Sequence, residues 1–535
     1  MISTTMGHGD LTIARLLEHG ARWHADREVV VAGSAGEPDI TLTFAEVAAG
    51  AARLAHALAG LGVTPGTAVG TLLWNDRAHL EAYLAVPAMG AVLHTANPRL
   101  SAAQLRHTLA AAHDRVLLVA ADLLDQVRPL LADLPEVEHV VVVGGPDDAY
   151  DALVAGRPAT YPWPEVPENT AASICFTTGT TGDPKGVVYS HRSILLQCLS
   201  AASTNALRLG SEDRLLVVVP MFHATAWCYP YAAWWFGADL VLPGRVPPPE
   251  EMVALLRRQR VTFANGVPAV WSEVARALDV DPEPLPHLRQ VVIGGAAVSA
   301  ALLDAFDRHG ITVLQGWGMT ETSPLVTVGR PLPGTTPAEE RSARLSQGRL
   351  LAGVDLRLVD PDTGTELPCD GTTVGEIEVR GPWVSASYLD GAGADRFHDG
   401  WLRTGDVGTV DPRGYLRLTD RAKDVIKSGG EWISSVELEN LISGLPGVAE
   451  AAVIGVPDER WDERPLAVVA GAVAGAGLDL DLPALRAAVA EQVPRWWVPE
   501  RWAVVDVLPH TSVGKLDKVA LRRAHAAGDL DVQTP

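Results

Sequence analysis

Apolar and polar positions alternate along the chain with two different periods. From Thr43 to Leu61, the residues Phe44, Val47, Leu54, Leu58 and Leu61 recur at the spacing of one helix face, and Thr43 with Glu46 makes a capping box at its start. Short β-like runs at 68–73 and 116–119 alternate with helical stretches at 78–89 and 102–112. That rhythm predicts an α/β fold with sheets covered on both faces. Further on, strand-like runs at 263–264, 290–293 and 313–314 each end in a small-residue turn, which predicts parallel strands opening at one ligand-bearing edge. Residues 331–346, rich in proline, arginine and glutamate, are expected to form a long surface loop. Runs at 356–359, 375–380, 401–409 and 415–418, punctuated by Gly-Asp and Gly-Tyr, point to an antiparallel barrel. The α/β rhythm then resumes at smaller scale. A boundary near Lys423 is expected, dividing the chain into 1–422 and 423–535.

A length of 535 residues suits two or three domains with sizeable cores. The net charge of −22 argues against a broad basic surface for nucleic acid or anionic lipid, so a polyanionic ligand must be held by local donors. Cys175, Cys198, Cys228 and Cys369 lie far apart without C-x-x-C spacing, which speaks against a zinc site or a disulfide framework. Neither a leader-like start nor a run of about twenty apolar residues is visible, and a cytoplasmic protein without transmembrane segment is expected.

Chemistry concentrates in the stretch 174–191. Ile174, Cys175 and Phe176 lead into Thr177, Thr178, Gly179, Thr180, Thr181 and Gly182, followed by Asp183, Pro184, Lys185 and Gly186. Glycines let backbone N–H groups turn inward, hydroxyls add donors and a lysine adds positive charge, the parts an oligophosphate needs. A plain hairpin with a Gly/Thr-rich turn is the competing reading. A Walker A loop is excluded, because Gly186 and not Ser or Thr follows Lys185. The polar insert 94–99 reads equally as a loop or as a site wall. Rings between Trp227 and Phe236 read equally as core or as an apolar ligand pocket. In the turn after Leu314, Trp317, Thr320 and Glu321 suggest nucleotide stacking, a phosphate contact and a magnesium ligand.

Together, the motifs FTTGTTGDPKG, QGWGMTETS, WLRTGDVG, DRAKDVIKSGGEWIS and HTSVGKLDK stand in the order seen in the adenylate-forming superfamily of acyl- and aryl-CoA synthetases, peptide-synthetase adenylation domains and firefly luciferases, which nearly the whole chain resembles. The resemblance implies two α/β subdomains and a β-barrel followed by a small mobile α+β domain. It implies ATP, Mg2+ and coenzyme A: a carboxylate attacks the α-phosphate of ATP, pyrophosphate leaves, and a thiol then takes the acyl group and releases AMP.

Residue by residue, it implies that Thr177 to Gly182 and Lys185 wrap the β- and γ-phosphates, and that Trp317 stacks on adenine in place of the family's usual tyrosine. Gly295 and Ala296, within 294–297, would line the adenine. Thr320 would contact the α-phosphate and Glu321 hold magnesium. Asp406 would accept the ribose hydroxyls, with Arg421 as a second ribose or phosphate contact. Lys423 matches the hinge, and Lys515 the mobile lysine that bridges the carboxylate and the α-phosphate. His223 matches a position beside the acyl carboxylate. Ser428, Gly429 and Gly430 would swing towards the thioester site. The segment 221–228 lacks the aspartate with which amino-acid-activating relatives hold an ammonium, and its wording looks most like the medium- and long-chain fatty-acid–CoA ligase branch, with Trp227 and Trp234 in the acyl pocket. Short, methylthio- or aryl acids, transfer to a carrier protein, a non-catalytic acyl- or nucleotide-binding role, and a homodimer all stay open.

Overall fold

The computed structural model describes all residues except 1–4, 8, 34–36, 147, 178–182, 282, 362, 422–423, 429–430, 459, 472–479 and 512–515, with the backbone alone at 431–432. Helix Phe44–Gly60 begins at its capping box, the Glu46 N–H donating to Thr43 Oγ1 at 3.2 Å and the Thr43 N–H to the Glu46 carboxylate at 2.8 Å.

Two sheets form the first part. One contains, in spatial order, His139–Val143, Asp114–Ala120, Ala68–Leu72, Val92–Thr95, Ala171–Phe176 and Gly186–Ser190; all pairings are parallel except the last. The other runs parallel from Glu28–Val31 through Asp239–Leu242, Arg214–Leu216, Phe263–Gly266 and Gln290–Gly294 to Thr312–Gly318. Antiparallel strands close both of its edges. The three parallel strands expected from the sequence therefore lie side by side, in register from Phe263↔Gln290 and Gln290↔Thr312. Apolar side chains between the two sheets form one continuous core.

The long loop expected at 331–346 is instead partly helical, as Pro337–Arg344. Thr336 and Glu339 cap its start, Pro337 occupies its first turn, and Arg341 and Arg344 pair with Asp304 and Asp307 of the preceding helix Ala300–Arg308. The following strands, Asp355–Val359, Glu366–Leu367, Gly375–Arg380, Phe397–His398, Trp401–Val410 and Leu416–Arg421, pair antiparallel throughout, as their punctuation predicted.

A last sheet is made only of strands after residue 425, with helices Ser435–Ser443, Leu482–Ala490 and Lys518–Ala527 around it and its own apolar clusters. The molecule thus has a large N-terminal part and a smaller C-terminal α+β domain.

Candidate active site

The glycine- and threonine-rich loop grows from a hairpin: Ala171–Phe176 and Gly186–Ser190 pair antiparallel, with Phe176 opposite Gly186. Its two feet are tied together. Thr177 N–H donates to Lys185 O at 2.9 Å, and Lys185 N–H to Thr177 Oγ1 at 3.1 Å. His107 Nε2 lies 3.1 Å from Pro184 O, and both His107 and His94 set their rings against Phe176. His94, from the polar insert left undecided between loop and site wall, is on strand Val92–Thr95, fully buried and 2.6 Å from Asp114 Oδ2. It supports the loop from below. Thr178, Gly179, Thr180, Thr181 and Gly182 lie outside the described residues.

Opposite the loop, strand Thr312–Gly318 ends in the tight turn carrying Thr320 and Glu321. Gly318 is needed there, since a Cβ would sit 1.8 Å from Pro324 O. The turn's backbone is pinned by Tyr189, whose hydroxyl donates to Thr320 O at 2.7 Å, and by Ser385, whose N–H donates to Glu321 O at 2.7 Å. Glu321 is only 4% exposed. Its Oε1 accepts from the Tyr388 hydroxyl at 2.5 Å and from Arg396 Nη1 at 2.9 Å. Burial and the neighbouring Glu321 push the Tyr388 phenol far above its ordinary pKa, so it remains a donor. Lys185 Nζ lies 5.0 Å from the centre of the same Tyr388 ring. The loop's lysine and the turn's acid are thereby brought to one place.

Trp317 and Asp406, 89 residues apart, meet: the indole N–H donates to Asp406 Oδ2 at 2.8 Å. Asp406 Oδ1 is 2.7 Å from Arg421 Nε, and the strand register sets Asp406 opposite Arg421. Asp406 holds the Arg421 charge more firmly than usual, despite burial. An ionised carboxylate has about four acceptor sites, so Asp406 keeps capacity for further donors. Where the family's tyrosine carries a phenol, tryptophan thus supplies an N–H to the ribose-binding candidate. Gly295 and Ala296 form an exposed turn at the end of strand Gln290–Gly294, Gly295 with φ of 84°.

Residues 224–228 contain an unusual backbone. Ala224, Thr225, Ala226, Trp227 and Cys228 all take φ between 43° and 60°, a left-handed turn that costs roughly 1–2 kcal/mol per residue for L side chains. Close packing holds it: Thr225 is 0% exposed, its Oγ1 lies 3.3 Å from Cys228 Sγ, and Cys228 Sγ donates to Ser323 O at 3.3 Å. The turn lays the Trp227 ring against Gly294, where a Cβ would be 3.1 Å from the indole. His223, half-buried, begins the turn. Beside it, a cavity of about 300 Å³ is lined by Phe222, Trp74, Arg99 and Arg245 among others. Arg99 lies over Phe222 and Arg245 over Trp74.

Trp234 departs from expectation. It stacks on Phe44 at 4.2 Å, donates to Leu17 O and fills the space left by Gly20, so it is core between N-terminal helices and not a pocket wall. Ser428 is buried in the C-terminal sheet near Arg464, its Oγ 3.3 Å from Arg464 Nη1. Lys423, Gly429, Gly430 and Lys515 lie outside the described residues.

Sequence reasoning missed Tyr388, Arg396 and His107. Tyr388 sits in a stretch without regular structure and Arg396 in the single 3-10 turn Ala394–Arg396, where no periodicity singles out a residue, and they meet Glu321 only across 67 and 75 positions. Among the described residues no group of three or more His, Cys, Asp or Glu could hold a metal alone. A single buried carboxylate beside Lys185 and Arg396 nevertheless fits Mg2+, which takes one or two carboxylates and completes its shell with water and substrate phosphates. No helix among the described residues is long and apolar enough to cross a membrane.

Comparison with known proteins identifies the family. The family model described as AMP-binding enzyme matches residues 17–389, and that of the AMP-binding enzyme C-terminal domain matches 437–515. A 3-methylmercaptopropionyl-CoA ligase of Ruegeria pomeroyi is 42% identical over 531 residues, covering 97% of this chain and 98% of that one. A long-chain-fatty-acid–CoA ligase of Thermus thermophilus is also 42% identical, over 532 residues, 98% of this chain and 97% of the relative. The crystal structure of an anthranilate CoA ligase in complex with anthranoyl-AMP superposes with a TM-score of 0.87 at 26% identity, covering 97% of this chain and 98% of that one.

Proposed function

The chain belongs to the AMP-binding enzyme family and is an AMP-forming CoA ligase, and from that premise we propose that its acid is a fatty one of medium to long chain. The observation that carries this choice is the wall made by 221–228: no carboxylate, an indole laid against Gly294, and buried alanines at 224 and 226. An ammonium there would be desolvated without a counter-ion, which disfavours amino acids. A short methylthio acid is the second reading, favoured by the equal identity to the 3-methylmercaptopropionyl-CoA ligase.

In the first half-reaction the substrate carboxylate oxygen bonds to the α-phosphorus and the bond to the bridging oxygen breaks, releasing pyrophosphate. In the second, the CoA thiol gives up its proton, its sulfur bonds to the acyl carbon, and AMP leaves. Neither half requires a protein nucleophile, only positioning and charge stabilisation. We assign Trp317, Gly295 and Ala296 to adenine, Asp406 and Arg421 to ribose, Thr320 to the α-phosphate, and Thr177 to Gly182 with Lys185 to the departing pyrophosphate. His223 would stand beside the acyl carboxylate and Trp227 close the acyl tunnel. Magnesium held by Glu321 would neutralise phosphate charge. Lys515 would bridge carboxylate and α-phosphate, and rotation of 423–535 about Lys423 would exchange it for Ser428, Gly429 and Gly430 on the CoA side.

Pyrophosphate release measured over acids of graded chain length, with and without CoA, tests this reading. A rate rising from propionate to octanoate and beyond, with AMP release dependent on CoA, is expected. A maximum at 3-methylthiopropionate would select the second reading. Adenylation without CoA-dependent turnover would point to a carrier-protein acceptor.

A further inference from the structure

We propose that Arg396 is a phosphate-binding residue of the nucleotide site, serving as the counter-ion of Glu321 until nucleotide and divalent cation arrive. The proposal rests on the ATP-dependent ligase reading and adds to it a residue that the motifs do not contain.

The guanidinium of Arg396 is fixed from behind. Its Nε and Nη2 donate to Arg403 O at 3.1 and 3.0 Å, and Nη2 also to Thr404 O at 2.9 Å. Only Nη1 faces the site, bonded to Glu321 Oε1 at 2.9 Å and to the Tyr388 oxygen at 2.5 Å. The fork thus spends Nε and Nη2 on backbone carbonyls and presents Nη1 to the site as one fixed, charge-assisted donor, which a phosphate oxygen can accept from. The side chain remains 26% exposed, so a ligand can reach it.

Its neighbour is Lys185. The Lys185 ammonium and the Arg396 guanidinium lie 5.0 and 5.9 Å from the centre of the Tyr388 ring. Gly393 packs beside both Lys185 and Tyr388, where a Cβ would stand 2.7 Å from Lys185 Nζ and 3.2 Å from the ring. Two cations thus share one ring, and among the described residues the acid ion-paired with them is Glu321, through Arg396, an excess of positive charge in a chain of net charge −22. Such an excess suits a polyanion. A divalent cation taken up by Glu321 repels Nη1 and weakens its hold on Oε1, leaving that N–H for the nearest phosphate oxygen. An anion drawn to Lys185 meets Arg396 on the same Tyr388 ring.

The test is calorimetric binding to the full-length chain without acid substrate, using MgATP, magnesium pyrophosphate and AMP, for the wild type, Arg396→Met and Arg396→Lys. Arg396→Met should weaken ATP and pyrophosphate about tenfold or more, the scale of a lost charge-assisted hydrogen bond, and AMP less than twofold. Arg396→Lys, which keeps the charge without the fork, should fall between, and it carries the test if the methionine variant does not fold. Unchanged ATP and pyrophosphate affinity overturns the proposal. So does an equal loss for AMP, or a lysine variant as weak as methionine, because either marks Arg396 as a brace for the Arg403 and Thr404 carbonyls. Should the wild type itself bind no ATP, the ligase reading falls; wild-type binding matched by Arg396→Met sinks this inference alone.

Discussion

Glu321, on the edge of the nine-stranded sheet, and Glu439, inside the C-terminal domain, are each a buried carboxylate beside a cation and a hydroxyl. Glu321 meets Arg396 and Tyr388. Glu439 Oε1 lies 2.8 Å from Lys518 Nζ and accepts from Val453 N–H at 2.8 Å, while Lys518 also donates to Ser435 Oγ at 2.5 Å. The difference is in the cation. Arg396 keeps 26% of its side chain open, whereas Lys518 keeps 10% and shares its charge with Asp420, to which the Ser435 N–H donates at 2.8 Å. Asp420 lies near the end of strand Leu416–Arg421 and Lys518 begins helix Lys518–Ala527, so the closed cluster fastens the C-terminal domain to the strand before it. A buried charge marks a ligand site only when its partner can be exchanged.

The comparison would break most visibly at Glu321. Glu321→Gln should lower kcat/KM for adenylation about 100- to 1000-fold, the scale of a lost transition-state electrostatic contact, without moving the urea midpoint. A fallen midpoint with intact kinetics would make Glu321 structural. In the closed cluster, Lys518→Met should cost about 3–5 kcal/mol in urea unfolding, since it leaves buried acids uncompensated. Rate loss before any stability loss would instead place Lys518 in the site.

A pH titration of stability sharpens the contrast. Burial pushes the Glu439 carboxyl up to about 7 from its ordinary 4.5, the nearby Lys518 only partly offsetting it. The folded state therefore holds an extra proton between those values. This group's contribution is fully present below pH 4.5 and is lost as pH rises through 7, with a span of at most about 3 kcal/mol. Glu439→Gln should flatten that window; a slope unchanged in the variant would contradict the assignment. The smallest effect is expected for Trp317→Phe, which removes the N–H to Asp406 and keeps a stacking face. About 1 kcal/mol, or roughly fivefold in KM for ATP, is anticipated, and an unchanged KM would detach Trp317 from ribose binding.

The elements most legible in the sequence were those with local causes. The capping box before Phe44, the paired strands around the Thr177–Lys185 loop and the parallel strands ending at Gly266, Gly294 and Gly318 all follow from periods and turn residues. Helix Pro337–Arg344 had a local start signal, Thr336 with Glu339 and Pro337 in its first turn, which its loop-like composition masked, while its pairs to Asp304 and Asp307 a helix away appear only in the fold. Trp234 was ambiguous because an aromatic stripe does not say which of its rings other helices cover. The motifs gave the acid Glu321, yet its partners Tyr388 and Arg396 come from a loop and a single 3-10 turn and become visible only when these fold against the turn carrying Glu321.

On the assignment proposed above, the contact between Trp227 and Gly294 is a partition between nucleotide and acid whose thickness is set by a missing methyl group. An enzyme built this way can have its diet edited from the wrong side of the wall. Gly294→Ala would push the indole towards the acid and shorten the longest chain accepted, at a cost set by the Gly316 carbonyl oxygen 2.9 Å from the new atom. Selectivity for one substrate is then hostage to the strand that cradles the other.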